Sequence, residues 1–332
     1  MLKQCFRFLC VVAMMVIAAS AASAADYTIR FSISVAPGEP AMVAAEQFAK
    51  EVEGRTGGKI HVQVYPSEQL GGEPDVVQGV RIGGIQMAFM SPGALGNIMP
   101  DFQILNAPFV WDDWETAKAV LTGPFGNALY ENFRQQTGIR ILDPLWYWGW
   151  RDMTANKPIR KVEDLHGLKM RAPNIPIFVE MFKALGANPT TINFQEIYSA
   201  LQQGVVDGEE NPIPAIWAQR FYEVNKYISI THHILQSNII IVNDKFFSSL
   251  PEDFQKIVKE EIVKAGERNT ELQIKAEEGL VAKIKEAGGV IVEDVDRAAF
   301  QKATQSVFEA LSGSWTPGLA DKLQSAVAQV RK

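Results

Sequence analysis

Tyr27-Thr-Ile-Arg-Phe-Ser-Ile-Ser-Val35 alternates apolar and polar side chains, the period of a strand that buries one face. Pro37 and Pro40 break it, and Ala41, Ala44, Ala45, Phe48, Ala49 and Val52 then recur at helical spacing. Gly57-Gly58 stop that helix, and Ile60-His-Val-Gln-Val-Tyr65 is a second alternating strand. Glu73 to Ile82 reads as a helix, and Gln86-Met-Ala-Phe-Met90 as a short buried strand. Parallel neighbours need a crossover, which a helix supplies, so this β-α-β-α-β order predicts a parallel sheet with helices on its faces. The fold class is α/β.

Trp114 to Gln136 is helical with a break at Gly123-Pro124, and Ile139 to Trp150 is a strand ending in Trp146-Tyr-Trp-Gly-Trp150. A second α/β pattern begins there. Leu168-Lys-Met-Arg-Ala172 is a strand, and Ile177 to Leu185 and Phe194 to Gln203 are helices. Val205 to Gly208 is a short strand running into a turn, and Tyr227 to Val242 return as strands. From Pro251 to Ala287 the apolar positions keep one helical rhythm, with Gly288-Gly289 as its stop. A helix of that length spans about 55 Å at about 1.5 Å per residue, longer than one small domain. It is predicted to brace two.

The expected division is residues 25–149 with 238–275 in the first unit and 150–237 with 300–332 in the second. Helix 251–287 spans both, and crossing strands near 149–152 and 237–241 act as hinges.

The 332 residues, 47% of them apolar, suit two folded units of ordinary size. With 32 basic against 38 acidic side chains the net charge is −6, the wrong sign for a phosphate-backbone binder, so nucleic acid is not an expected partner. The N-terminal stretch, 1–24, reads as a secretory signal: Lys3 and Arg7, an uncharged apolar run from Phe8 to Ala19, then Ala22-Ser23-Ala24 as the cleavage pattern. Both cysteines, Cys5 and Cys10, lie inside it, so the processed chain has neither disulfide nor thiolate nucleophile. The expected location is a bacterial periplasm, and the expected state is a monomer.

Catalytic signatures are missing. There is no G-x-S-x-G elbow, no Walker-type phosphate loop and no G-x-G-x-x-G after a strand. The four histidines, His61, His166, His232 and His233, lack zinc-site spacing, and His232 and His233 point to opposite faces of a strand. No metal and no cofactor is expected.

Three features suit an anion. Arg171 faces opposite Leu168 and Met170 and is held by the stiff Ala172-Pro-Asn-Ile-Pro176, so its guanidinium is placed to fork a carboxylate. Arg151 follows the Trp/Tyr cluster, with Asp152 as an alternative salt-bridge partner. Asp207-Gly-Glu-Glu-Asn-Pro212 reads as a turn presenting polar side chains. Taken alone, these are equally the marks of surface ion pairs, and the aromatics the marks of a core.

Gly167-Leu-Lys-Met-Arg-Ala-Pro-Asn174 and Glu196-Ile-Tyr-Ser-Ala-Leu-Gln-Gln-Gly-Val-Val-Asp-Gly-Glu-Glu-Asn-Pro212 resemble the solute-binding proteins of tripartite ATP-independent periplasmic (TRAP) transporters, the DctP family. Tyr65-Pro-Ser-Glu-Gln-Leu-Gly71 and Asn243-Asp-Lys-Phe-Phe-Ser-Ser-Leu-Pro251 extend the likeness over nearly the whole processed chain. The resemblance implies a two-domain periplasmic-binding-protein-like fold that closes on one small organic acid and hands it to membrane permease subunits. It implies that Arg171 carries the ligand carboxylate, with Arg151 as a second basic position and Asn211 as a polar partner. Asn174, Phe194 and Glu210 are implied to line the cleft, with Glu73 and Ser91 reaching it from the first unit. Val35 and Met90-Ser91 stand where sialic-acid-binding members carry polar side chains, which argues against that ligand. The aromatic cluster, Trp148 included, suits a sugar ring or an aromatic acid. Two other readings are a periplasmic enzyme acting on a carboxylic acid and a receptor that serves a sensor.

Overall fold

The structure is a computed structural model and describes residues 25–331. The expected signal and both cysteines lie outside the described residues. Strands β1 (Tyr27–Ser32), β2 (Ile60–Tyr65) and β3 (Met87–Met90) are joined by α1 (Pro40–Arg55) and α2 (Glu73–Arg81). β1 pairs in parallel with β2 and with β3, Tyr27 opposite Ile60 and Phe31 opposite Met87. Helices α3 (Trp114–Thr122) and α4 (Pro124–Thr137) follow, parted at Gly123-Pro124 as expected.

The remaining strands are β4 (Ile139–Ala155), β5 (Lys169–Ala172), β6 (Asn188–Thr191), β7 (Gly208–Pro212), β8 (Tyr227–Asn243) and β9 (Val290–Val292). One sheet runs β2-β1-β3-β8-β4-β7-β5-β6, with β9 paired to β8. The two halves are therefore not separate sheets. They share β4 and β8, each 17 residues long, which run antiparallel through both.

Three expectations change. The strand predicted to stop at Trp150 continues to Ala155, because β7 and β8 flank it on both edges. Residues 208–212 are a buried strand rather than a turn, since β4 and β5 pair with both edges of β7. The predicted helix from Phe194 to Gln203 is a short 3-10 turn, Phe194–Glu196, followed by a helix, Ile197–Gln202.

Helix α5 (Pro176–Ala184) covers the second half of the sheet, and α6 (Glu252–Glu286), 35 residues long, is the predicted brace. Its apolar face, with Val258, Ile262 and Ala265, joins the core around Phe31, Phe48 and Trp146. Its polar face meets the irregular part of β4, where register shifts turn carbonyls out of the ladder. Buried carbonyls need donors. Asn269 donates Nδ2–H to the Tyr147 carbonyl (2.8 Å), Gln273 donates Nε2–H to the Trp148 carbonyl (2.7 Å), and Lys259 reaches the Leu142 carbonyl.

The C-terminal segment touches both halves. Helix 306–312 packs on α5, whereas α7 (Leu319–Val330), expected with the second unit, packs on α3 and α4. Its Leu319, Leu323 and Val327 enter the same core as Leu121 and Phe133, and Asp101 ties down Thr316 through its N–H (2.7 Å) and hydroxyl (2.6 Å). Among the described residues no helix is long and apolar enough to cross a membrane.

Candidate functional site

A cleft opens where β4 and β8 cross between the halves, lined by Arg171, Arg151 and Asn211 from one side, by Glu73 and Ser91 from the other, and by Trp148, which packs on Phe89. Asn174 and Phe194 sit at its edge. Local backbone geometry decides which side chains enter. Along a regular strand, residues an odd number apart point to opposite faces. Yet Trp148 and Arg151 both line the cleft. The reason is a bulge: Tyr147 and Gly149 oppose the consecutive residues Ser237 and Gln236, so β4 carries one extra residue there. Gly149 takes φ +120°, and a Cβ on it would stand 2.3 Å from the Glu277 carboxylate.

The same phase change disposes of the other aromatics. Trp146 is fully buried, edge-on to Phe31 and Phe89. Tyr147 packs on Trp114 and donates to Glu277, and Trp150 stacks on His232. Only Trp148 of the cluster faces the cleft, so the expected aromatic platform is one ring.

The two arginines differ in their partners. Arg151 donates through Nε and Nη2 to both carboxylate oxygens of Glu210, through Nη2 to the Glu210 carbonyl (2.7 Å) and through Nη1 to Gln236 (2.9 Å). Its guanidinium lies 5.1 Å from the Phe178 ring centre. Asp152, the alternative partner read from sequence, points to the other face and accepts from the His232 N–H (2.9 Å). Glu210 was expected to line the cleft. It is instead fully buried behind Arg151, with His233 Nε2 at 3.1 Å. Burial alone would raise its pKa, but Arg151 and His233 hold it down at about 2.

Arg171 is 3% exposed, and its Nε–H donates to the Ile192 carbonyl at 2.8 Å. Among the described residues no carboxylate lies within ion-pair distance of it. Desolvation lowers its pKa to about 10, so it stays charged at neutral pH while its remaining N–H groups face the cleft. Asn211 donates to Glu209, which also accepts from Thr154 (2.8 Å); burial lifts that carboxyl to about 7.

On the opposite wall Glu73, in the first turn of α2, accepts from the Ser91 N–H (2.7 Å) and hydroxyl (2.8 Å). Burial raises its pKa although those bonds oppose the rise. Val35 is buried in the core, and its neighbour Ser34 lines the cleft instead. Across the lips Asn97 donates to the Asn174 carbonyl (3.2 Å), and Gln195 donates to the Ser34 carbonyl (3.0 Å).

Sequence reasoning missed Glu68, Asn97, Asn193, Gln236 and Asn238, all on the cleft. The last two carried a signal. With Ser237 between them they form a polar break, Gln236-Ser-Asn238, in the apolar run from Ile234 to Val242. Among the described residues no cluster of His, Cys, Asp or Glu is arranged for a metal ion.

Residues 31–313 match the family model for bacterial extracellular solute-binding protein, family 7, DctP. The chain belongs to that family. This DctP-family chain is 29% identical over 312 residues to the sialic acid-binding periplasmic protein SiaP of Vibrio cholerae, covering 94% of this chain and 97% of that one. It superposes with TM-score 0.86 on a TRAP periplasmic solute-binding protein of Ochrobacterium anthropi with bound L-fuconate, at 35% identity, covering 91% of this chain and all of that one. A TRAP periplasmic solute-binding protein of Fusobacterium nucleatum with bound sn-glycerol-3-phosphate gives TM-score 0.88 at 28% identity, covering 92% and 98%. The DctP-family fold is thus shared with TRAP periplasmic solute-binding proteins.

Proposed function

We propose that this protein captures a small organic acid in the periplasm and delivers it to TRAP membrane permease subunits. The observation that carries the reading is Arg171: a buried guanidinium at the cleft with, among the described residues, no carboxylate at ion-pair distance. A buried cation without a partner is costly, and a ligand carboxylate supplies the partner through two parallel charge-assisted hydrogen bonds. Arg151, already forked by Glu210, has little donor capacity left, so it serves as a fixed positive wall, with Asn211 and Gln236 beside it.

The ligand class is a sugar acid or related hydroxy acid, as suggested by Trp148, the polar lining and relatives bound to L-fuconate. Closure would hinge on β4 and β8, with residues 25–149 and 238–275 moving against 150–237 while α6 spans both. Ligand favours the closed state only by touching both sides, which Arg171 opposite Glu73 and Ser91 provides. Native mass spectrometry of freshly purified processed protein tests the reading. It should release an organic acid on denaturation, and incubation should return that acid unchanged. A bound molecule without an acid group, or steady turnover of the acid, would refute it.

A further inference from the structure

On the wall facing the arginines, the cleft continues into a small recess against the first unit, lined by Ser32, Ser34, Gly71, Phe89, Glu73 and Glu68. The recess and the cleft share Ser34, Glu68 and Glu73. Among the described residues no basic side chain lines the recess. Glu68 is half-buried and sits in an unusual turn: Ser67 and Glu68 take φ +52° and +56°, the left-handed region that L side chains avoid. Strain of that kind at a cleft is a mark of a side chain held for a purpose. Here the turn points the Glu68 carboxylate across the cleft, where it accepts from the Gln195 N–H at 3.4 Å.

The charges around the cleft sort themselves simply. Arg151 is paired with Glu210, and among the described residues that line the cleft Arg171 is the cation with no carboxylate at ion-pair distance. Opposite stand Glu68 and Glu73. One anionic group on the ligand is matched by Arg171, whereas a second, on the facing wall, would meet the carboxyl groups of Glu68 and Glu73. Hydroxyl groups there would instead donate to both.

Resting on the receptor reading above, we infer that Glu68, together with Glu73, is a charge filter that selects polyhydroxylated monocarboxylates and rejects the matching diacids. Rejection by like charge is a specificity device separate from the attractive contacts at Arg171.

The test is calorimetry on the processed protein with a panel of six-carbon aldonates and uronates and the aldarates of the same stereochemistry. Each is titrated into wild type, Glu68→Gln and Arg171→Ala. Glu68→Gln removes the charge but keeps an oxygen able to accept from Gln195. Wild type should prefer the best monoacid over its diacid by at least about 100-fold, the size expected of like charges forced together. In Glu68→Gln that ratio should fall by about tenfold or more. A diacid that binds wild type as tightly as the monoacid overturns the filter, as does an unchanged ratio in Glu68→Gln. Either result leaves the receptor reading standing if monoacid binding still depends on Arg171. If no acid of the panel binds, or binding ignores Arg171→Ala, the receptor reading falls and takes the filter with it.

Discussion

Replacing each cleft arginine by methionine, which keeps most of the volume, should separate function from stability. Among the described residues Arg171 has no carboxylate at ion-pair distance, and desolvation at 3% exposure pulls its pKa below the ordinary guanidinium range, to about 10. A depression of that size costs the folded ligand-free state about 3 kcal/mol. Arg171→Met removes the cost but also the bond to the Ile192 carbonyl, worth about 1 kcal/mol. The ligand-free variant should therefore be as stable as wild type, or more stable by about 1–2 kcal/mol. Its affinity should drop by about 2–5 kcal/mol, because the ligand carboxylate enters a buried site unpaired. Arg151→Met is predicted to do the reverse to stability. It strands the fully buried Glu210 without its counter-charge, at a cost of about 3–5 kcal/mol. Urea denaturation of ligand-free proteins measures the first quantity and calorimetry the second. If Arg171→Met lost as much ligand-free stability as Arg151→Met, the assignment of Arg171 as the uncompensated cation would be wrong.

Gly149→Ala forces a Cβ to 2.3 Å from Glu277 and 3.2 Å from Pro212 at φ +120°, so urea denaturation should show a loss of about 1–3 kcal/mol. Because that bulge sets the phase of Arg151, ligand affinity should fall too; an unchanged midpoint would mean the bulge relaxes freely. Burial raises the Glu277 carboxyl to about 7, with the Tyr147 hydroxyl opposing the rise. The folded state thus keeps a proton there that the unfolded chain gives up near 4.5, and wild-type stability falls as pH climbs from about 4.5 to 7. Thermal unfolding of Glu277→Gln should show an advantage over wild type that is larger at pH 8 than at pH 5, and a pH-independent difference would exclude this titration. Small-angle scattering should record a smaller radius of gyration with ligand at constant mass; a constant radius alongside calorimetric binding would favour a preformed closed pocket.

The cleft arginines illustrate how far residue order alone can reach. Arg171 was readable as a candidate anion site because its strand, Lys169–Ala172, is regular and the segment after it is stiffened by Pro173 and Pro176. Arg151 was readable only as a basic residue after aromatics. Its partner choice was not, since Glu210 reaches it across two strands 59 positions apart. The acidic run Glu209-Glu210 looked like a solvated turn for the same reason: its neutralising groups, Arg151, His233 and Thr154, arrive from β4 and β8.

The sequence by itself determined the parts that depend on short-range pattern. Alternation in β1 and β2, the Gly stops, the Gly123-Pro124 break and the unbroken helical rhythm of α6 all act within a few residues, where side-chain periodicity and backbone preference dominate. Only the tertiary structure decided that both halves share one sheet, that 208–212 is a central strand, and that Trp148 alone of its cluster meets the cleft. Each of these turns on long-range pairing. A single extra residue at Tyr147–Gly149 reverses the phase of everything beyond it, and the bulge persists because Asn269 and Gln273 of α6 satisfy the carbonyls it turns out of the sheet.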